Sequence, residues 1–251
     1  MRGSTPWTIA LLLLGAVAAQ AMIAPPVLQD ARTAYEEGNY AAAVEHYETA
    51  LAQGADHPLV HYNLGNAHFR AGDLGEAIAS YVRAQRLAPR DERIASNLRV
   101  ALAQIRDREL GGEVPAVLAP AAWLYGLLSL DEWWTLFAVA FAAVAIAAIV
   151  GHWRPALRPV GRRAMIAAGT VAVLALLMGG IRYRNEVATA RAIVVAQEVQ
   201  VRSGPGDDYG LAFRVHEGLQ VTVDERRERW WRIDLGGELV GWVPAASLER
   251  I

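Results

Sequence analysis

The chain has 251 residues, a formal charge of −2, and 54% hydrophobic but only 8% aromatic residues. This surplus of Ala, Leu and Val over an ordinary soluble domain points to membrane segments, and the near-neutral balance gives no reason to expect nucleic acid. Arg supplies all 24 basic residues and Cys is absent, which excludes Walker-type lysines, Schiff-base chemistry, thiol nucleophiles, thiolate metal sites and disulfides.

In chain order, Met1–Met22 comes first, with Arg2, an apolar stretch through Leu11–Leu14, and the small residues Ala19-Gln20-Ala21. That layout reads as a signal peptide over 1–21, cleaved after Ala21. A retained anchor is the alternative, although the stretch between Pro6 and Pro25 is marginal for ~30 Å of hydrocarbon.

Residues 25–108 follow with a fixed period: Gly38, Ala43, Tyr47 and Ala50 recur 34 positions later as Gly72, Ala77, Tyr81 and Ala84. Tyr35 and Val44 return as Phe69 and Ile78. Such a repeat, with small residues at helix crossings, resembles tetratricopeptide (TPR) hairpins, which stack into a groove that holds other proteins. The second repeat carries Leu64-Gly65, Phe69, Gly72-Asp73, Ala77, Tyr81, Ala84 and Pro89 in the expected places. The first departs from the pattern with Asp30-Ala31 for Leu-Gly and Ala55 for the proline, yet still reads as a hairpin. Asn97, Leu98 and Ala101 begin a third unit long enough for one capping helix. By resemblance to TPR peptide clamps, the inner face comprises Arg32, Asn63, Asn66, Arg70, Arg93 and Asn97. Amides bond a ligand backbone and guanidiniums take carboxylates in pairs of bonds. The likeness to a carboxylate clamp is partial, because Leu28 stands where such clamps carry a cation, and an ordinary solvated helix face is the alternative.

Gly111-Gly112 and Pro115 mark a linker within 109–130, whose apolar end Ala116–Leu130 suits a membrane–water boundary. Residues 133–151 and 164–181 read as two transmembrane helices, both free of formal charge. Trp133, Trp134 and Trp153 flank the first, where indoles favour headgroups. The loop 152–163 between them holds Arg154, Arg158, Arg162 and Arg163 without an acid. Short Arg-rich loops stay cytoplasmic, so both flanking regions face outward, toward the periplasm of a Gram-negative inner membrane. Two buried core helices are the alternative reading.

From Ala190 short alternating runs separated by Gly, Pro and Asp predict a small all-β module over 190–251. Val199-Gln200-Val201-Arg202-Ser203-Gly204-Pro205-Gly206, then Tyr209, Glu217-Gly218, Trp230-Trp231-Arg232-Ile233 and Gly241-Trp242-Val243, resemble a bacterial SH3-like (SH3b) domain. The resemblance implies an aromatic groove for peptides or wall fragments, with Tyr209, Trp230 and Trp242 as its platform. A core role is the rival for Trp242.

His57, His61 and His68 do not share a helix face as a three-ligand set, and no phosphate loop or nucleophile elbow occurs. The expectation is no enzyme, no cofactor, no metal site and no catalytic residue. The fold class is therefore a multidomain membrane protein: all-α TPR hairpins, a two-helix transmembrane hairpin and a small all-β SH3-like barrel. That order resembles BatE-type proteins of bacterial aerotolerance operons. The resemblance implies an envelope scaffold in stress tolerance, with von Willebrand A-domain membrane proteins and a MoxR-type ATPase as associates. A peptidoglycan-binding module that recruits a wall-active enzyme is the other reading.

Overall fold

A computed structural model describes residues 26–107, 110, 119–236 and 239–251. The expected signal peptide, its cleavage point and the alternative anchor lie outside these residues, as do Gly111, Gly112 and Pro115 of the linker. The chain forms two units, divided after Ala55.

In the first unit, α1 (Pro26–Glu36) and α2 (Tyr40–Ala52) make a helical hairpin. The turn works because Gly38 takes φ +79°, a left-handed conformation that costs glycine least. Asn39 then starts α2, its side chain accepting the Ala42 N–H at 3.3 Å. Ala31, Ala43 and Ala50 are fully buried. Ala31 occupies the place equivalent to Gly65, so the departing first repeat keeps a small residue there.

The second unit begins with α3 (Pro58–Ala71) and α4 (Leu74–Leu87), followed by α5 (Glu92–Leu102). His57 Nδ1 accepts the Leu59 N–H at 3.2 Å and Pro58 fills the first turn, which together start α3. Gly72, at φ +97°, ends it. A Cβ on Gly65 would stand 2.7 Å from the Tyr81 ring, which is 1% exposed, so α3 and α4 meet over a glycine that no other residue can replace without movement. Asp91 caps α5 by accepting the Arg93 N–H at 2.9 Å.

Helix α6 (Ala119–Gly126) precedes two long helices, α7 (Leu130–Trp153) and α8 (Arg158–Tyr183), which pack along each other. A capping box starts α7: Ser129 Oγ accepts the Glu132 N–H and Glu132 accepts the Ser129 N–H. Both helices are long and apolar enough to cross a membrane. Their contact is made by small side chains, with Ala140, Ala172, Ala175 and Gly179 buried, while Phe141, Ile146, Ile166 and Leu177 stay exposed. The connection is shorter than expected. Pro159 in the first turn of α8 suits a helix start, so Arg158, Arg162 and Arg163 are helical and only Arg154–Leu157 turn the chain. The indoles flanking α7 differ in exposure. Trp133 is 3% exposed, packed against Gly179, whereas Trp153 is 77% exposed.

Seven strands complete the unit: β1 (Arg191–Val194), β2 (Glu198–Arg202), β3 (Leu211–His216), β4 (Gln220–Arg227), β5 (Trp230–Asp234), β6 (Val240–Pro244) and β7 (Leu248–Arg250). They form one antiparallel sheet in the order β3-β2-β6-β5-β4-β1-β7. Alternating Val199, Val201, Val221, Val223, Ile233 and Val243 fill its core, as the period-2 pattern predicts.

This β module is welded to the second hairpin rather than strung behind it. Ile193 of β1 packs into the helical core with Ile78, Tyr81 and Leu98. A Cβ on Gly75 would lie 2.6 Å from the Val194 carbonyl oxygen, so α4 sits flush on the strand. Arg83 pairs with Glu249 and donates to the Arg250 carbonyl. Asp107, just past α5, accepts the His216 backbone N–H at 2.6 Å and lies 3.0 Å from its Nδ1.

Candidate functional site

Residues on α3 and α5 build the first candidate surface. Asn63, Asn66 and Arg70 fall at i, i+3 and i+7 along α3 and so share a face. Asn66 Oδ1 accepts two bonds, from Tyr81 Oη at 2.8 Å and from Asn97 Nδ2 at 2.9 Å. Asn97 Nδ2 also reaches Tyr62 Oη at 3.2 Å. These bonds fix both amides, while the Nδ2 group of Asn66 takes no part in them. Arg93 lies 5.9 Å over the Tyr62 ring centroid and pairs with Asp91 at 2.7 Å. The Arg93 guanidinium, helped by the backbone N–H groups at the start of α5, holds the Asp91 carboxyl down at about 2.

The structure thus brings Asn66, Arg93 and Asn97 together through Tyr62, with Asn63 half-buried and Arg70 exposed at the end of α3. Arg32 belongs to the first unit, where it pairs with Glu36 at 2.7 Å. Sequence reasoning missed Tyr62 and Asp91. Asp91 was legible as an N-cap two residues before Arg93.

The β module offers the second surface, and its three expected residues differ in exposure. Tyr209 is 50% exposed, its ring resting on Gly204, where a Cβ would come within 2.2 Å. Arg202 holds that loop by donating to the Asp207 and Tyr209 carbonyls at 2.9 and 2.8 Å. Trp230 is half-buried opposite Pro244. Trp242, expected in the platform, is instead buried, with the Arg227 guanidinium 4.9 Å above its ring. Val243 beside it faces the core, so Trp242 points to the other side of the sheet, where Arg202 and Arg232 are its cross-strand neighbours and Arg227 covers the ring. Tyr209 and Trp230 remain as the accessible aromatics.

A third cluster lies at the exit of α8, where sequence reasoning saw only a flanking basic residue. Arg182 is 3% exposed. It donates to the carbonyls of Tyr125 (3.0 Å), Leu128 (2.9 Å) and Arg86 (3.4 Å), and its Nε pairs with Glu186 at 2.7 Å. Arg90 reaches the Leu127 carbonyl at 3.0 Å and Glu132 at 2.6 Å. The start of α7 and the end of α8 are therefore both tied to the α4–α5 region, which places the second hairpin and the β module at the same end of the α7–α8 pair.

A model of the tetratricopeptide repeat matches residues 28–92, and a model of the bacterial SH3 domain matches residues 198–249. The chain therefore carries helical repeats of the first kind and an SH3-like domain of the second. It is also similar to a putative N-acetylmuramoyl-L-alanine amidase, YrvJ, of Bacillus subtilis (strain 168), with 36% identity over 56 residues. That similarity covers 22% of this chain and 11% of the amidase, within the SH3 region.

Proposed function

We propose that the chain is a membrane-anchored adaptor with no catalytic role of its own. Helices α7 and α8 hold it in a bilayer, and the α3–α5 face takes an extended peptide or one helix of an envelope protein. The observation that carries this reading is the fixed amide pair Asn66–Asn97 beside Arg93. The groups that these bonds do not use, the Asn66 Nδ2 donor and the Asn97 Oδ1 acceptor, are held in place for a peptide backbone with little further loss of freedom, and a ligand carboxylate would share Arg93 with Asp91. The exposed apolar surface of α7 and α8 supports the anchor, since burying it in water-free lipid removes its hydration cost. Four Arg at the α7–α8 turn, opposite the end tied to the other domains, favour a cytoplasmic turn and periplasmic binding domains at the inner membrane. Within this reading, the Bat-type stress-tolerance system and its von Willebrand A-domain proteins are the partners to test first.

The test is crosslinking in native membranes, followed by purification of the full chain with Asn97→Ala and Arg93→Ala. Loss of a co-purifying partner is the expected outcome; an unchanged set of partners defeats the groove. Reporter fusions after Asp107, within 154–163 and at Ile251 check orientation, and a cytoplasmic signal at either flank rules it out.

A second reading, wall binding through the SH3b domain, is favoured by the amidase similarity and by exposed Tyr209. Co-sedimentation of the full chain with peptidoglycan sacculi tests it, with Tyr209→Ala expected to weaken binding. Residues 190–251 alone are a poor probe, because Ile193 would lose its helical partners.

A further inference from the structure

The cavity at the junction of α4, α5, the end of α8 and β1 has a volume of about 990 Å³. Its walls are of two kinds. Ile78, Val82, Leu98, Leu102, Ile193 and Leu219 line an apolar side. Arg86, Arg99, Arg182 and Arg191 line it against two acids among the described residues, Asp107 and Glu186. Both acids are engaged, Asp107 by His216 and Glu186 by Arg182. Arg182 is itself bonded to three carbonyls, so it belongs to the scaffold. Arg86 and Arg191 are different: both are half-buried, and neither side chain makes a hydrogen bond among the described residues. Burial holds the Arg86 guanidinium below its ordinary range; Glu186 opposes this and Arg191 adds to it. Two partly desolvated cations sharing one committed acid favour an anion between them.

Position specifies the anion further. Arg182 and Glu186 directly follow the apolar stretch that ends at Ile181, and Tyr125 and Gly126 of the cavity directly precede α7. Given the membrane-anchor reading, on which this step rests, the cavity mouth stands at headgroup height. We propose that the cavity holds an anionic phospholipid, its phosphate gripped by Arg86 and Arg191 and the start of its acyl chain against Val82, Leu98 and Leu102. Arg–phosphate pairs form two parallel bonds, and basic pockets beside membrane helices suit acidic headgroups.

The test uses the full chain in neutral detergent, with melting followed as phosphatidylglycerol, phosphatidylcholine or inorganic phosphate is added. Phosphatidylglycerol is expected to raise Tm well beyond phosphatidylcholine, and Arg86→Gln with Arg191→Gln to reduce that shift to the phosphatidylcholine level. Should that pair of changes prevent folding, Leu102→Trp blocks the tail from an exposed wall position and is expected to have the same effect. Equal shifts from both lipids, or a selective shift that survives these substitutions, overturn the inference. A matching shift from inorganic phosphate overturns the lipid in favour of a free anion. Carbonate extraction of native membranes separates the premises: release of the chain defeats the anchor reading and the lipid with it. Retention without lipid selectivity defeats the lipid alone.

Discussion

Gly65 and Tyr81 show how little space the second hairpin allows. A side chain at 65 must displace a ring that is itself enclosed, and overpacking of this kind costs about 1–3 kcal/mol. Gly65→Val is therefore expected to lower the Tm of the full chain by roughly 2–8 °C in a thermal melt, given the usual entropy of unfolding; an unchanged Tm contradicts the contact. Asp91 makes a prediction in pH. Its carboxyl is held at about 2, below the value of 3.8 it has when unfolded. The stabilisation is thus complete above about pH 4 and disappears as pH falls toward 2. Asp91→Asn keeps an equally good N-cap but removes the charge. Melting measured from pH 7 to pH 2 should show the variant's deficit at neutral pH closing across that window. A constant deficit excludes the ion pair as the cause.

At the scale of elements, hairpins and strands were legible because their periods repeat: 34 residues for the helices, two for the strands. The long apolar helices were legible because charge is missing over 133–151 and 164–181. What could not be read is where a residue meets a partner distant in sequence. Arg182 looked like an ordinary flanking cation, yet it is buried among three carbonyls from two other segments. That Trp133 packs against Gly179 left no local mark, and for Trp242, where a core role was the rival to the platform, the Arg227 that covers its ring lies on another strand. Of the candidate groove, the residue types were visible along α3, whereas the Asn66–Asn97 bond required the fold. Arg182→Met tests the α8 exit. It leaves Glu186 buried without its cation and three carbonyls without donors, and loss of one member of such a pair costs about 3–5 kcal/mol. The expected outcome is a large drop in Tm with faster proteolysis around residues 125–130; wild-type melting and cleavage oppose it.

On the scale of the whole molecule, the second hairpin and the β module behave as one body because Ile193 fills a helical core. An aspartate there buries an unpaired charge in both. Ile193→Asp is expected to unprotect amides of α4 and of β1 together in hydrogen exchange, with both sets losing protection to the same degree. If only the strand loosens, the two are separable domains and the weld has no energetic weight.

Ile193 also sets an order of events during synthesis. The core it completes consists of Ile78, Tyr81 and Leu98, which leave the ribosome long before it, with both apolar helices made in between. At about 5–20 residues per second, that interval is on the order of 5–20 s. For that time Ile78, Tyr81 and Leu98 lack the side chain that packs against them in the finished fold. The later-made β module is thus the cap of an earlier hairpin, and a chain interrupted after α8 lacks the side chain that completes that core.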